Sequence, residues 1–122
     1  MPLPSLKQQF AALLASPSIS CTQPELDQSN LGVIHLLADW LNELGFACQI
    51  QPIDGYPGKA NLIATLGSGP GGLVLAGHTD TVPCNPDRWQ SDPFSLREAD
   101  NRWYGLGSCD MKGFFPLIIE AV

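Results

Sequence analysis

A chain of 122 residues, 44% apolar and 15% charged, has room for one domain burying about two-thirds of its unfolded surface, and its composition is that of a globular fold rather than a disordered one. A formal charge of −6, with the six basic residues scattered singly from Lys7 to Lys112, offers no patch to neutralise phosphates and so excludes a nucleic-acid partner. No run reaches the roughly 18 to 20 apolar residues of a membrane span, and Met1-Pro2-Leu3-Pro4-Ser5-Leu6-Lys7 lacks the basic start and apolar stretch of an export signal, so a cytoplasmic protein with reduced thiols at Cys21, Cys48, Cys84 and Cys109 is expected.

In chain order, Leu6, Phe10, Leu13 and Leu14 recur at helical spacing until Pro17 interrupts them. Pro24 to Leu44 reads as one long helix with the stripe Val33, Ile34, Leu37, Trp40, Leu41 and Leu44, and Gly45 stands where a C-terminal cap belongs. Phe46 to Ile53 reads as a strand, Asp54 to Gly58 as a turn, and Asn61 to Leu66 as a second strand. The glycine-rich link Gly67 to Gly72 then leads to Leu73-Val74-Leu75-Ala76, a buried strand expected to lie antiparallel to the one before it. Pro83 to Arg102 reads as a long ordered loop of the kind that carries function. Arg102 to Tyr104 is a short strand candidate. Phe114 to Val122 opens a helix with Pro116 in its first turn, and its apolar character at the last residues predicts that the natural chain continues. This order of elements is α/β.

The chemistry-bearing residues sit at the ends of these segments. His78 follows the Leu73–Ala76 run, and it suits either a metal ligand or a hydrogen-bonded core residue. Asp80, two positions on, shares a face with His78 in extended backbone and can fix its tautomer; the competing role is an Asx-type turn among Thr79, Thr81 and Pro83. Asp110 lies in a glycine-flanked turn, where it can cap the next helix, bind a cation, or do both. Gly105, Gly107 and Gly113 fit neither G-x-G-x-x-G nor a P-loop. Lys112 reads as solvated or packed along its stem, and His35 as structural within the long helix. An imidazole with carboxylates suits zinc, cobalt or manganese.

Gly77-His78-Thr79-Asp80-Thr81-Val82-Pro83, Trp89, Asp92-Pro93-Phe94, Tyr104-Gly105-Leu106-Gly107 and Asp110-Met111-Lys112-Gly113 together resemble the N-terminal part of the M20 metallopeptidase and deacylase family. The likeness extends over nearly the whole chain. It implies an α/β fold in which residues 1–122 form the N-terminal portion of a zinc-peptidase-like catalytic domain, with a mixed sheet flanked by helices. The rest of that domain and a dimerisation domain lie outside the chain. The resemblance further implies that His78 ligates one of two zinc ions and Asp110 bridges both. Cobalt is an alternative metal, and Asp80 is a catalytic residue that tunes His78. It also implies a cis peptide at Asp110–Met111, a small N-acyl amino acid as substrate, and a homodimer for the full-length protein.

In the family the general base and the remaining ligands lie further along. Here Glu120 is the only acid after Asp110, and it falls in a predicted helix without a matching role. The chain alone is therefore expected to bind zinc weakly and to hydrolyse nothing. From a different functional class, a binding module without catalysis fits the same residues.

Overall fold

The computed structural model describes residues 2–122. Helix α1 spans Leu6–Leu14 and opens with a capping box, in which Ser5 Oγ accepts from the Gln8 N–H while Gln8 Oε1 accepts from the Ser5 N–H. Helix α2 spans Leu31–Glu43, and Gly45 follows its C-cap with φ +93°. Strands β1 (Ala47–Pro52) and β2 (Ala60–Thr65) form an antiparallel pair closed by the turn between Ile53 and Lys59. A single 3-10 turn covers Pro86–Arg88, and a second small antiparallel pair joins β3 (Arg97–Ala99) to β4 (Arg102–Tyr104). Helix α3 runs from Phe114 to Ala121, with Pro116 in its first turn as expected.

Burial alternates along both longer strands. Cys48, Ile50 and Gln51 on β1, and Ala60, Leu62 and Ala64 on β2, are the less exposed residues, and on the shared face Cys48 pairs with Ala64 and Ile50 with Leu62. α2 packs on both strands through this face. Leu13, Val33, Leu37, Trp40 and Ile119 form the buried core, with Leu62 and Phe115 packed at its edge. One cluster thus draws on all three helices, because each helix carries a single apolar stripe that has to be covered. Edge-to-face contact between Phe10 and Trp103, with centroids 5.0 Å apart, attaches β4 to α1.

Two sequence expectations are corrected. The long helix begins at Leu31, not Pro24. The residues before it use their polar side chains against backbone outside the helix. Asp27 Oδ1 accepts from the Cys21 N–H and from Lys59 Nζ, and Gln28 Oε1 accepts from the Ile19 N–H. Such side chains offer the backbone an alternative to helical pairing. The second correction concerns Leu73–Ala76, which is irregular and exposed, with Leu73 at 82% and Val74 at 87%. β2 pairs with β1 rather than with this run. An apolar run becomes a strand only when neighbouring backbone completes its ladder, and no described residue does so here. Among the described residues, parallel pairing is confined to an isolated bridge between Ile19 and Thr81.

Asn30 joins the start of α2 to the start of β2. Its Nδ2 donates to the Ala60 carbonyl at 2.9 Å and its Oδ1 accepts from the Ala60 N–H at 2.9 Å, with Ala60 itself 1% exposed. Because this side chain is engaged across the fold, Ser29 Oγ takes the Leu31 N–H instead. Asn30→Ala strands two buried backbone groups, each of which costs about 1–3 kcal/mol when unpaired. We expect a loss of about 2–4 kcal/mol in denaturant unfolding, against less than about 1 kcal/mol for Ser29→Ala.

Candidate metal centre

The residues from His78 to Thr81 alternate between two environments. Thr79 and Thr81 are held from beneath. Ser18 Oγ donates to the Thr79 carbonyl at 2.6 Å, Asn30 Nδ2 donates to Thr79 Oγ1 at 3.0 Å, and the Thr81 N–H donates to the Ser18 carbonyl at 3.1 Å. His78 and Asp80 occupy the intervening positions and face outward, their side chains 47% and 52% exposed. The period-two alternation of extended backbone therefore turns one pair toward the scaffold and leaves the other open to the surface.

Within the outward pair, His78 Nδ1 lies 3.0 Å from the Asp80 carbonyl and 3.2 Å from Asp80 Oδ1. Both neighbours accept, so in the Nδ1–H tautomer the ring donates to Asp80. The second ring nitrogen, Nε2, lies 3.1 Å from Asp110 Oδ1. Asp80 thus orients the imidazole on one side, while Asp110 stands on the other.

Asp110 reaches this position from a compact turn between Gly105 and Gly113. A Cβ at Gly113 would sit 2.1 Å from the Ser108 carbonyl oxygen and 2.5 Å from the Phe10 ring, so the turn closes only over glycine. The Asp110–Met111 peptide is cis, as the family resemblance implies. Gly113, not Asp110, is the N-cap residue of α3, and no side chain caps it. The helix-capping role weighed for Asp110 is therefore not the one it plays. Its carboxylate is 86% exposed and points across to His78. The Asx-turn role weighed for Asp80 gives way likewise to its contact with the imidazole.

His78, Asp80 and Asp110 line a shallow cleft of about 190 Å³ whose walls include Trp89, Leu106 and Cys109. Trp89 comes from the Pro83–Arg102 segment, which is ordered by the Pro86–Arg88 turn and by β3. The donor set fits a divalent cation. A histidine nitrogen and a carboxylate oxygen of opposite elements converge within one hydrogen-bond length, and the imidazole is already fixed by a carboxylate behind it. No group of three or more His, Cys, Asp or Glu side chains is arranged to hold a metal ion among the described residues. All four cysteines are free thiols.

His35 is exposed on α2. Lys112 is packed along its stem, one of the two roles expected, but it is 1% exposed and its ammonium also lies inside the fold. Nζ donates to the Leu13 carbonyl at 3.0 Å and to the Ser16 carbonyl at 2.8 Å. Ser18 and Asn30 were not anticipated at all. The threonines alternating with His78 and Asp80 were the available signal that something beneath holds them.

Fold and site together define the chain as part of a zinc-peptidase-like catalytic domain. The profile of Peptidase family M20/M25/M40 matches residues 74–122. The chain is 55% identical to acetylornithine deacetylase of Pasteurella multocida and 57% identical to acetylornithine deacetylase of Photorhabdus laumondii, in each case over 98% of this chain and 31% of the relative. It therefore spans about a third of the length of these curated relatives. The crystal structure of human carnosine dipeptidase 1 superposes with a TM-score of 0.71 at 27% identity, covering 95% of this chain and 27% of that one. Residues 74–122 thus match the M20 peptidase family, and nearly the whole chain is similar to the corresponding third of proteins named acetylornithine deacetylase.

Burial lowers the Lys112 pKa from its ordinary 10.5 to about 8. Between these values the unfolded chain keeps a proton that the folded chain has released, so folding stability rises with pH across that window and has no slope from this group below it. The full gain is about 3 kcal/mol. We expect denaturant unfolding of Lys112→Met to lack this rise when it is compared with the unsubstituted protein between pH 8 and pH 10.5.

Proposed function

We propose that this chain carries the first part of the active site of a metal-dependent amide hydrolase that, in the full-length protein, deacetylates N-acetyl-L-ornithine to ornithine and acetate, a step of arginine biosynthesis. The observation that carries this reading is the placement of His78 between Asp80 and Asp110, in a chain 53–57% identical to four curated acetylornithine deacetylases over 98% of its length. His78 Nε2 and Asp110 would hold a divalent cation, with Asp110 shared between two zinc ions; cobalt satisfies the same donors. Such cations, when bound, lower the pKa of a bound water and polarise a substrate carbonyl.

The residues of this chain have distinct tasks. Asp80 accepts from His78 Nδ1–H, which fixes the ring and leaves Nε2 facing the cleft. Asp110 presents an exposed carboxylate across that cleft, 3.1 Å from Nε2. Trp89 and Leu106 supply apolar wall, which suits the carbon skeleton of a small N-acyl amino acid. Two donors are fewer than the three protein ligands of a catalytic zinc. The isolated 122-residue chain accordingly binds zinc weakly and has no hydrolytic activity, and the full-length protein works as a cytoplasmic homodimer with no nucleic-acid or membrane partner.

The test is hydrolysis by the protein expressed from its complete reading frame with cobalt or zinc, comparing N-acetylornithine with N-succinyl-diaminopimelate. Preference for the acetyl substrate, abolished in Asp110→Ala, is the expected result. Preference for the succinyl substrate would keep the site and move the protein to desuccinylase chemistry. Failure to cleave either would favour a binding module. In the same protein Asp80→Ala is expected to weaken cobalt binding by about 10- to 100-fold, the usual effect of removing a carboxylate that orients a ligating histidine, as read by calorimetric titration.

A further inference from the structure

Lys112 is the one charged side chain among the described residues that is buried, and the proposed chemistry makes no use of its charge. Its two hydrogen bonds end on one short stretch of chain, the Leu13 and Ser16 carbonyls at the close of α1. Its stem lies against Gly107, where a Cβ would come 3.3 Å from Lys112 Cδ and 2.8 Å from Thr81 Cγ2. Asp110 is two residues away. The same stretch of chain continues to Ser18, itself 1% exposed. Ser18 Oγ donates to the Thr79 carbonyl at 2.6 Å and its own carbonyl accepts from the Thr81 N–H at 3.1 Å. Thr79 and Thr81 flank Asp80, and Thr79 follows His78.

One segment, Leu13 to Ser18, therefore grips both halves of the site. It holds the His78–Asp80 arm through Ser18 and the Asp110 turn through Lys112. A buried apolar side chain would fill the Lys112 site without a charge to desolvate. It would not supply directional donors, which fix orientation where packing alone fixes only volume. We propose that Lys112 and Ser18 are positioning residues that register the Asp110 turn against the His78–Asp80 arm, and so set the spacing of the two metal-binding groups. The inference rests on the metal-site reading given above.

The test uses the protein from its complete reading frame, titrated with cobalt and followed by calorimetry and by the visible absorption of the bound ion. Lys112→Met keeps the stem and removes the donors. A roughly 10- to 100-fold weaker cobalt affinity with a shifted absorption band, in protein that is folded under the titration conditions, is the expected result, whatever stability is lost by leaving the Leu13 and Ser16 carbonyls without their donor. Unchanged affinity and band would overturn the proposal, and so would weaker binding with an unshifted band and a lowered midpoint, which is general destabilisation. Should Lys112→Met not fold, Ser18→Ala decides by the same criteria, since it removes one oxygen and the hydrogen bond to Thr79. If the parent protein and its His78→Ala variant bind cobalt equally, the metal-site reading itself falls and this inference falls with it.

Discussion

A helix that stops leaves carbonyls without intrahelical donors, and the end of α1 meets this requirement in a way that reaches across the molecule. α1 ends at Leu14, and its orphan acceptors need partners. The Leu13 carbonyl takes the Ser16 N–H and the Lys112 ammonium, and the Ser16 carbonyl takes a second bond from that ammonium. A cation near a helix C-terminus is also favoured by the helix dipole. Here the cation is supplied from nearly a hundred residues along the chain rather than from the helix's own last turn, which carries no basic residue. Closing a helix end and fastening a distant turn are thus accomplished by the same two hydrogen bonds.

The same economy of contacts recurs at Asn30. Its side chain stands at the N-cap position of α2 but bonds to both backbone groups of Ala60 and to the Thr79 hydroxyl. Ser29 takes over the local N–H at the start of α2 and donates to the Gly58 carbonyl. Around these polar links the core of Leu13, Val33, Leu37, Trp40 and Ile119 supplies the non-directional part of stability. Apolar burial makes the chain compact. The buried donors and acceptors decide which loops meet, since each is costly to leave unpaired.

What could be read from the sequence follows this division. α1, most of α2, the β1–β2 pair and α3 were legible because periodicity, a capping glycine at Gly45 and a proline in the first turn of α3 are local signals. The stretch from Pro24 to Asn30 was misread because apolar spacing does not register the partners that Asp27, Gln28 and Asn30 find outside a helix, at Cys21 and Ile19 a few residues upstream and at Ala60 thirty residues on. Leu73–Ala76 was misread for a related reason, since strand character depends on a neighbouring backbone that composition cannot reveal. His78, Asp80 and Asp110 were legible as a group through motif resemblance, and the structure brings them within hydrogen-bond distance. Lys112 was not legible, because nothing in Asp110-Met111-Lys112-Gly113 states that the lysine turns inward to α1.

The exposure of the site explains why its geometry has to come from beneath. With side chains between 47% and 86% exposed, the attraction between an imidazole and a carboxylate is screened by water and worth little in stability. Such a pair cannot hold itself at a fixed spacing against the entropy of two side chains and two loops. Each of its members is instead carried on backbone that is held from within the fold: Thr79 and Thr81 by Ser18 and Asn30, and the Asp110 turn by Lys112 and by the Gly113 N–H, which donates to the Gly107 carbonyl. The polar scaffold below therefore determines the spacing, and the exposed groups above are left free to bind. If His78 and Asp110 hold a cation as proposed, this chain would supply only two of its donors but also the part of the site that is hardest to make, the separation between them.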